Sequence, residues 1–216
     1  SPIGQKETHE FLSALNDFYR TSHFNDFFNT HTNIYELGLQ VFNDSVMAHF
    51  DQEWYTRFYG TPPAEQFRII IGFTNGPCNY GPSRKLTGQP KEVFAIMNYA
   101  VDDNERPIFY KKVVETVVHE FCHSFIKIKG DTEKALEKSG KALQEYTYFS
   151  MRRQAYSTWR NILEESLVRA ATICYLIDHD YDEKDIRNAI IEQVDRNFFW
   201  MPELVQTLRY YESHRK

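Results

Sequence analysis

The sequence predicts one α+β domain, mostly helical, with a small sheet just ahead of a central apolar helix. Three observations carry this. Helical hydrophobic periodicity fills the first quarter of the chain and nearly all of its second half. Between them, "QFRIIIGF" and "KEVFAIMNY" are short, rich in β-branched and aromatic residues, and bounded by turn formers. No repeat, low-complexity tract or linker interrupts the 216 residues, a length that buries one sizeable core.

The elements follow in order. Residues 5–59 form the N-terminal helices. "HEFLSALNDFYR" spaces Phe11, Leu12, Leu15, Phe18 and Tyr19 three and four apart, which makes one apolar face. "NIYELGLQVFNDSVMAHF" repeats the pattern with Ile34, Leu37, Val41, Phe42 and Met47, and "TSHFNDFFNTHT" connects the two or breaks a helix. "GTPP" (Gly60–Pro63) then punctuates the chain. The sheet occupies 66–101, its two strands joined by the turn-rich "TNGPCNYGPSRKLTGQP", and "VDDNERP" ends it. The helical part, 108–216, divides into helices at 108–128, 131–150, 154–178, 183–197 and 202–214. Asp131 and Thr132 suit N-caps, and Pro202 suits a first helical turn.

Composition excludes some partners. A net charge of −5 without any Lys/Arg block gives no reason to expect nucleic acid or an anionic membrane. No apolar run has transmembrane length. Seventeen Phe and fourteen Tyr point to a tightly packed interior or a ring-lined groove. Cys78, Cys122 and Cys174 form no CxxC pair and cannot all be bridged, so buried free thiols are expected. The start "SPIGQKE" lacks an initiator Met and an apolar signal core, as in a processed form or an excised piece.

The chemistry is concentrated in "TVVHEFCHSF". His119-Glu120-Phe121-Cys122-His123 matches H-E-x-x-H. Residues four apart on a helix share a face, so both imidazoles can reach one Zn²⁺ at about 2.0–2.1 Å. Glu120 is rotated by about 100° from His119, placed to act as a base on water rather than as a ligand. The flanks Thr116, Val117, Val118, Phe121, Cys122, Ser124 and Phe125 carry no charge. Two histidines and a glutamate in so apolar a helix need something to satisfy them, and a metal does so.

A catalytic zinc takes three protein ligands and keeps an open position. A metzincin pattern fails, because Ile126 and Lys129 stand where Gly and His are required. An aspzincin pattern fails for lack of a downstream G-T-x-x-D. A glutamate from a second helix remains, and "WRNILEESLVRAATICYL" offers Glu164 and Glu165. Helical periodicity does not choose between them.

At this point the chain resembles the gluzincins, the zincin-like metallopeptidases whose third ligand is such a glutamate. Glu164-Glu165-Ser166-Leu167-Val168 is loosely similar to their N/E-E-G-x-A element, and that resemblance implies Glu165 as ligand, 42 residues after His123. Where well-known gluzincins carry Asp four residues on, this chain has Arg169, which either pairs with Glu164 or Glu165 or binds a substrate carbonyl. "NGPCNYG", "VVHEFCHSF", "EESLVRA" and "FFWMPELVQTLRYYE" together resemble a bacterial domain-of-unknown-function family regarded as secreted metallopeptidases. The resemblance implies a zincin-like fold, an extracytoplasmic location and a peptide or protein substrate. The alternative is a non-catalytic zinc-binding or protein-binding module on the same scaffold. The oligomeric state is left open.

Zincins receive an extended substrate at a sheet edge. "VFAIMNY" is either that edge, with Ala95 to Asn98 contributing backbone, or a plain core strand, and Asn79, Tyr80 and Gly81 either border the cleft or form a turn. Tyr175, His179 and Tyr181 are weak candidates for an oxyanion donor. No ligand role falls to His9, His23, His31, His49 or His214.

Overall fold

The computed structural model describes residues 4–76 and 78–214. Cys122 and Cys174 are buried free thiols, pushed up to about 12 by burial, whereas Cys78 is free but exposed in the turn-rich loop, against the expectation of burial. The fold is α+β and mostly helical. Helices α1 (Gln5–Thr21), α2 (Phe24–Thr30), α3 (Thr32–Ser45) and α4 (Glu53–Tyr59) come first, with a 3-10 turn at Met47–His49. The sheet region holds β1 (Gln66–Ile71), β2 (Ser83–Arg84), β3 (Glu92–Met97), β4 (Ala100–Val101) and β5 (Pro107–Ile108). Helices α5 (Val113–Cys122), α6 (Asp131–Tyr146), α7 (Tyr148–Arg153), α8 (Trp159–Asp178), α9 (Glu183–Asp195) and α10 (Met201–His214) complete the chain.

Helix α8 is the axis of the structure. Its N-terminus is fixed by Thr158, whose hydroxyl accepts the Asn161 N–H at 3.2 Å. Apolar residues on most of its faces let it pack against α5, α6, α9 and α10 at once. Gly140 on α6 permits the close approach to α8, because a methyl there would collide with the Trp159 ring. Helix α5 lies between β3 and α8, with Val114, Val117, Val118, Phe121 and Cys122 buried. Phe67 of β1 stacks on Phe121 with ring centroids 4.1 Å apart.

The sheet differs from the expectation of two strands. It has three, in the order β1-β3-β2, with β1 parallel and β2 antiparallel to β3. The connecting loop therefore supplies a strand, and an isolated bridge at Tyr80–Ile96 extends its pairing with β3. "VFAIMNY" is consequently the central strand and not an edge. Ala95 is fully buried, and the Asn98 N–H is taken by the Asn79 side chain at 2.9 Å. The expectation that these two residues offer free backbone to a substrate is corrected on that ground. "VDDNERP" does not end the strands either. It turns the β4–β5 hairpin, with Asp102 Oδ1 accepting the N–H groups of Asn104 and Arg106.

Helix positions agree with the periodicity, and boundaries move. The expected 108–128 helix shortens to Val113–Cys122, since Ile108 is in β5 and the chain turns after His123. The expected 131–150 helix breaks at Thr147, and Gly130, with φ +64°, stands at the N-cap in place of Asp131 or Thr132. Pro202 does fall in the first turn of α10. The apolar face of α1 is present but uncovered: Phe11, Leu12, Leu15, Phe18 and Tyr19 are all exposed. Periodicity makes a helix amphipathic but does not provide a surface to cover it.

The N-terminal helices join the core from α3 onward and are tied to α8 by Tyr175. Its hydroxyl accepts the Asp51 N–H at 2.8 Å and donates to the His49 carbonyl at 3.1 Å. Trp54 Nε1 donates to Asp178 at 2.7 Å beside it. Tyr175 is fully buried, so Tyr175→Phe leaves backbone groups unpaired. It is expected to cost about 1–3 kcal/mol, read as a shift in the urea midpoint without a change in slope.

Candidate metal centre

Helices α5 and α8 bring three donors together. His119 Nε2 lies 3.4 Å from Glu165 Oε1, and His123 Nε2 lies 3.7 Å from Glu165 Oε2. All three donor atoms fall within 4.8 Å of one another. Bond lengths of about 2.0–2.2 Å to a tetrahedral ion place its ligand atoms on the order of 3.4 Å apart, so the group fits a divalent metal with little adjustment. Helix α5 ends at Cys122, but His123 keeps helical backbone angles (φ −56°, ψ −22°), which preserves the four-residue alignment of the imidazoles.

The two adjacent glutamates have different tasks. Glu165 is buried and faces α5. Glu164 accepts the Ile128 N–H at 2.7 Å and so closes the loop between α5 and α6. That division of labour places Glu165, not Glu164, at the metal group. Arg169, one turn further on, pairs with Glu165 at 2.7 Å, and its other contacts are Gln193 at 2.5 Å and the Tyr156 hydroxyl at 3.1 Å. Its guanidinium also covers the Phe198 ring at 5.0 Å from the centroid. Of the alternatives left by the sequence, the pair with Glu165 is the one formed.

Burial sets the protonation states. It pulls the His119 imidazole down to about 4 despite the neighbouring Glu165 carboxylate, and His123 is lowered for the same reason. Burial pushes the Glu165 carboxyl up, but His119, the Arg169 guanidinium and His123 together hold it below the ordinary carboxylate range. The ligands therefore stand in the forms a metal requires: neutral imidazole and ionised carboxylate. Burial, reinforced by Glu165, raises Glu120 to about 7.

The Glu120 carboxylate reaches the sheet region. The Gly81 backbone lies directly against its carboxylate, and a methyl at Gly81 would collide with Oε2. Tyr80 exchanges both backbone hydrogen bonds with Ile96 (3.0 and 2.8 Å). Among the described residues no backbone hydrogen bond uses the N–H or C=O of Gly81. The free edge beside the metal group is thus the 79–81 segment. A cavity of about 340 Å³ opens at this point, lined by Asn79, Glu115, His119, Glu120, Arg169 and Gln193 among others.

A family model matches residues 3–216. The chain belongs to the DUF4932 family, a domain of unknown function. No curated protein and no solved structure matches this DUF4932 chain. The description names no metal and no reaction, so the chemistry of this DUF4932 domain rests on its residues.

The three weak candidates for an oxyanion donor are engaged elsewhere. Tyr175 serves the His49–Asp51 link, and His179 bonds to Asp51 at 3.2 Å and to the Tyr175 carbonyl at 2.8 Å. Tyr181 lies under the Lys111 ammonium, 4.3 Å from ring centroid to nitrogen. No sequence pattern marked Tyr156, which hydrogen-bonds the Glu165 carboxylate as well as Arg169, or Gln193, which reaches it through Arg169. Both come from segments whose approach to α8 is a matter of packing, so spacing along the chain carried no signal for them.

Two outcomes test the centre. Glu165→Ala is expected to lower divalent-metal affinity more than about 100-fold, whereas Glu164→Ala retains the metal, as measured by metal analysis after dialysis. In the metal-free protein, the unfolded chain binds a proton at His119 below the ordinary value of 6.5 and the native chain only near 4. Stability is therefore expected to fall as pH drops from 6.5 to about 4 and to level off for this group below that, checked by urea titrations and by imidazole NMR shifts.

Proposed function

We propose that this DUF4932 domain is a zinc-dependent peptidase of gluzincin type on a zincin-like scaffold, acting outside the cytoplasm on peptides or proteins. The observation that carries the reading is the meeting of Glu165 with His119 and His123 across two helices, with Glu120 facing the same cavity. Imidazole and carboxylate donors suit zinc.

His119, His123 and Glu165 would hold the ion, with Arg169 fixing the Glu165 carboxylate from behind. Bound zinc supplies a Lewis acid that polarises a carbonyl and lowers the pKa of water toward about 7. Glu120 would take the proton of the attacking water and deliver it to the leaving amine. The N–H and C=O of Gly81, which no other described residue's backbone takes up, offer an extended peptide a place at the sheet edge, with its backbone beside Glu120. No residue of α1–α4 lines the cavity, so the N-terminal helices leave it open.

Proteolysis of denatured casein by wild type and Glu120→Gln, with zinc measured in both, tests this. Cleavage by wild type that falls at least about 100-fold in Glu120→Gln at equal zinc content supports the reading. Zinc bound in both, with no Glu120-dependent cleavage of casein or of a random peptide library, would instead identify a zinc-binding module without turnover.

A further inference from the structure

The cavity beside Glu120 continues along α5 away from the metal group. Thr172, Ile173, Leu176 and Ala189 form its less polar wall. A second hollow shares Lys112, Glu115 and Ala189 with it and extends it toward Tyr181 and Asp185. Glu115 stands where the two meet, one helical turn before His119 and on the same face, about 6 Å along the axis.

The charges around this cavity are unequally committed. Lys112 Nζ lies 3.0 Å from one oxygen of Glu192, and Arg196 Nη2 lies 2.8 Å from the other. Both cations sit on the rim, with side chains 69% and 49% exposed. Arg169 is taken by Glu165. Glu115 is different: it is partly buried, and among the described residues no hydrogen bond or ion pair reaches its carboxylate. Burial pushes its carboxyl above the ordinary range, and Lys112 opposes this while Glu192 and Asp185 add to it. A half-buried carboxylate that no cation contacts directly, Lys112 being bonded to Glu192 instead, at the end of an apolar-walled cavity that begins at the proposed base, is the chemistry of a pocket for a long basic side chain.

Resting on the peptidase reading, we propose that this cavity receives the side chain of a residue flanking the scissile bond and selects lysine or arginine, with Glu115 as the counter-charge. The aliphatic stem lies along Ile173, Leu176 and Ala189 while the charged head reaches Glu115. An apolar side chain of similar size fills the wall but leaves Glu115 desolvated and unpaired. An acidic one meets Glu115 and Glu120 together. Selection thus comes from one attractive contact and from the cost that competing side chains leave uncompensated.

The test uses zinc-loaded protein and peptides that differ only in one residue beside the scissile bond: Lys, Leu or Glu. For wild type, kcat/KM is expected to favour Lys over Leu at least about tenfold, and Glu115→Gln to collapse that ratio toward one. Binding of the Lys peptide to zinc-loaded Glu120→Gln is expected to weaken about tenfold when Glu115→Gln is added. Cleavage without a preference for Lys, or with a preference for Glu through Lys112 and Arg196, overturns the pocket assignment and leaves the peptidase reading standing. Lys-dependent binding without any turnover overturns the peptidase reading and retains a basic-peptide site. Neither cleavage nor Lys-dependent binding overturns both.

Discussion

Glu165 is a buried carboxylate placed where α8 meets α5, and much of the architecture around it serves to keep that charge in place. A carboxylate taken from water has to be paired and hydrogen-bonded or it becomes neutral. Here the lasting cation is Arg169, since burial leaves His119 neutral at physiological pH. Arg169 is held in turn by Gln193 of α9, the Tyr156 hydroxyl and the Phe198 ring. Four separate segments thus converge behind one oxygen, and the side of Glu165 left facing α5 is the side that meets the histidines.

The same constraint accounts for the neighbouring residues. With Glu165 committed inward, Glu164 is free to turn toward the loop and fix the Ile128 N–H, which holds the end of α5 and so His123. On the opposite face of α5, packing of Phe121 on Phe67 couples the metal helix to the sheet. The sheet edge is then brought so near Glu120 that a side chain at position 81 would displace its carboxylate. In the proposed chemistry, base, metal ligands and substrate edge are related through this one helix, so their spacing does not depend on flexible loops.

The N-terminal third contributes unevenly. From α3 onward its aromatic residues join the core, and Tyr175 and Trp54 lock it to α8. Helix α1 instead presents Phe11, Leu15 and Phe18 to solvent. Its periodicity was legible in the sequence, but the absence of a facing surface was not, because a hydrophobic pattern records what a helix offers and not what it meets. For the same reason "VFAIMNY" read equally well as an edge or a centre: residues that fit a sheet do not say how many neighbours the strand has. The pairing of Tyr80 with Ile96 across a glycine-rich loop decided it.

By itself the sequence determined the helical class, the order of helices around a small sheet, and the two histidines with Glu120, because these depend on local period and four-residue spacing. It also narrowed the third donor to two adjacent glutamates. Only the tertiary structure separated Glu165 from Glu164, put "VFAIMNY" at the centre of the sheet with the 79–81 segment outside it, and brought Tyr156, Gln193 and Glu115 to the site. Each of those depends on which face of one element meets another, and helix packing across long separations leaves no spacing rule in the chain.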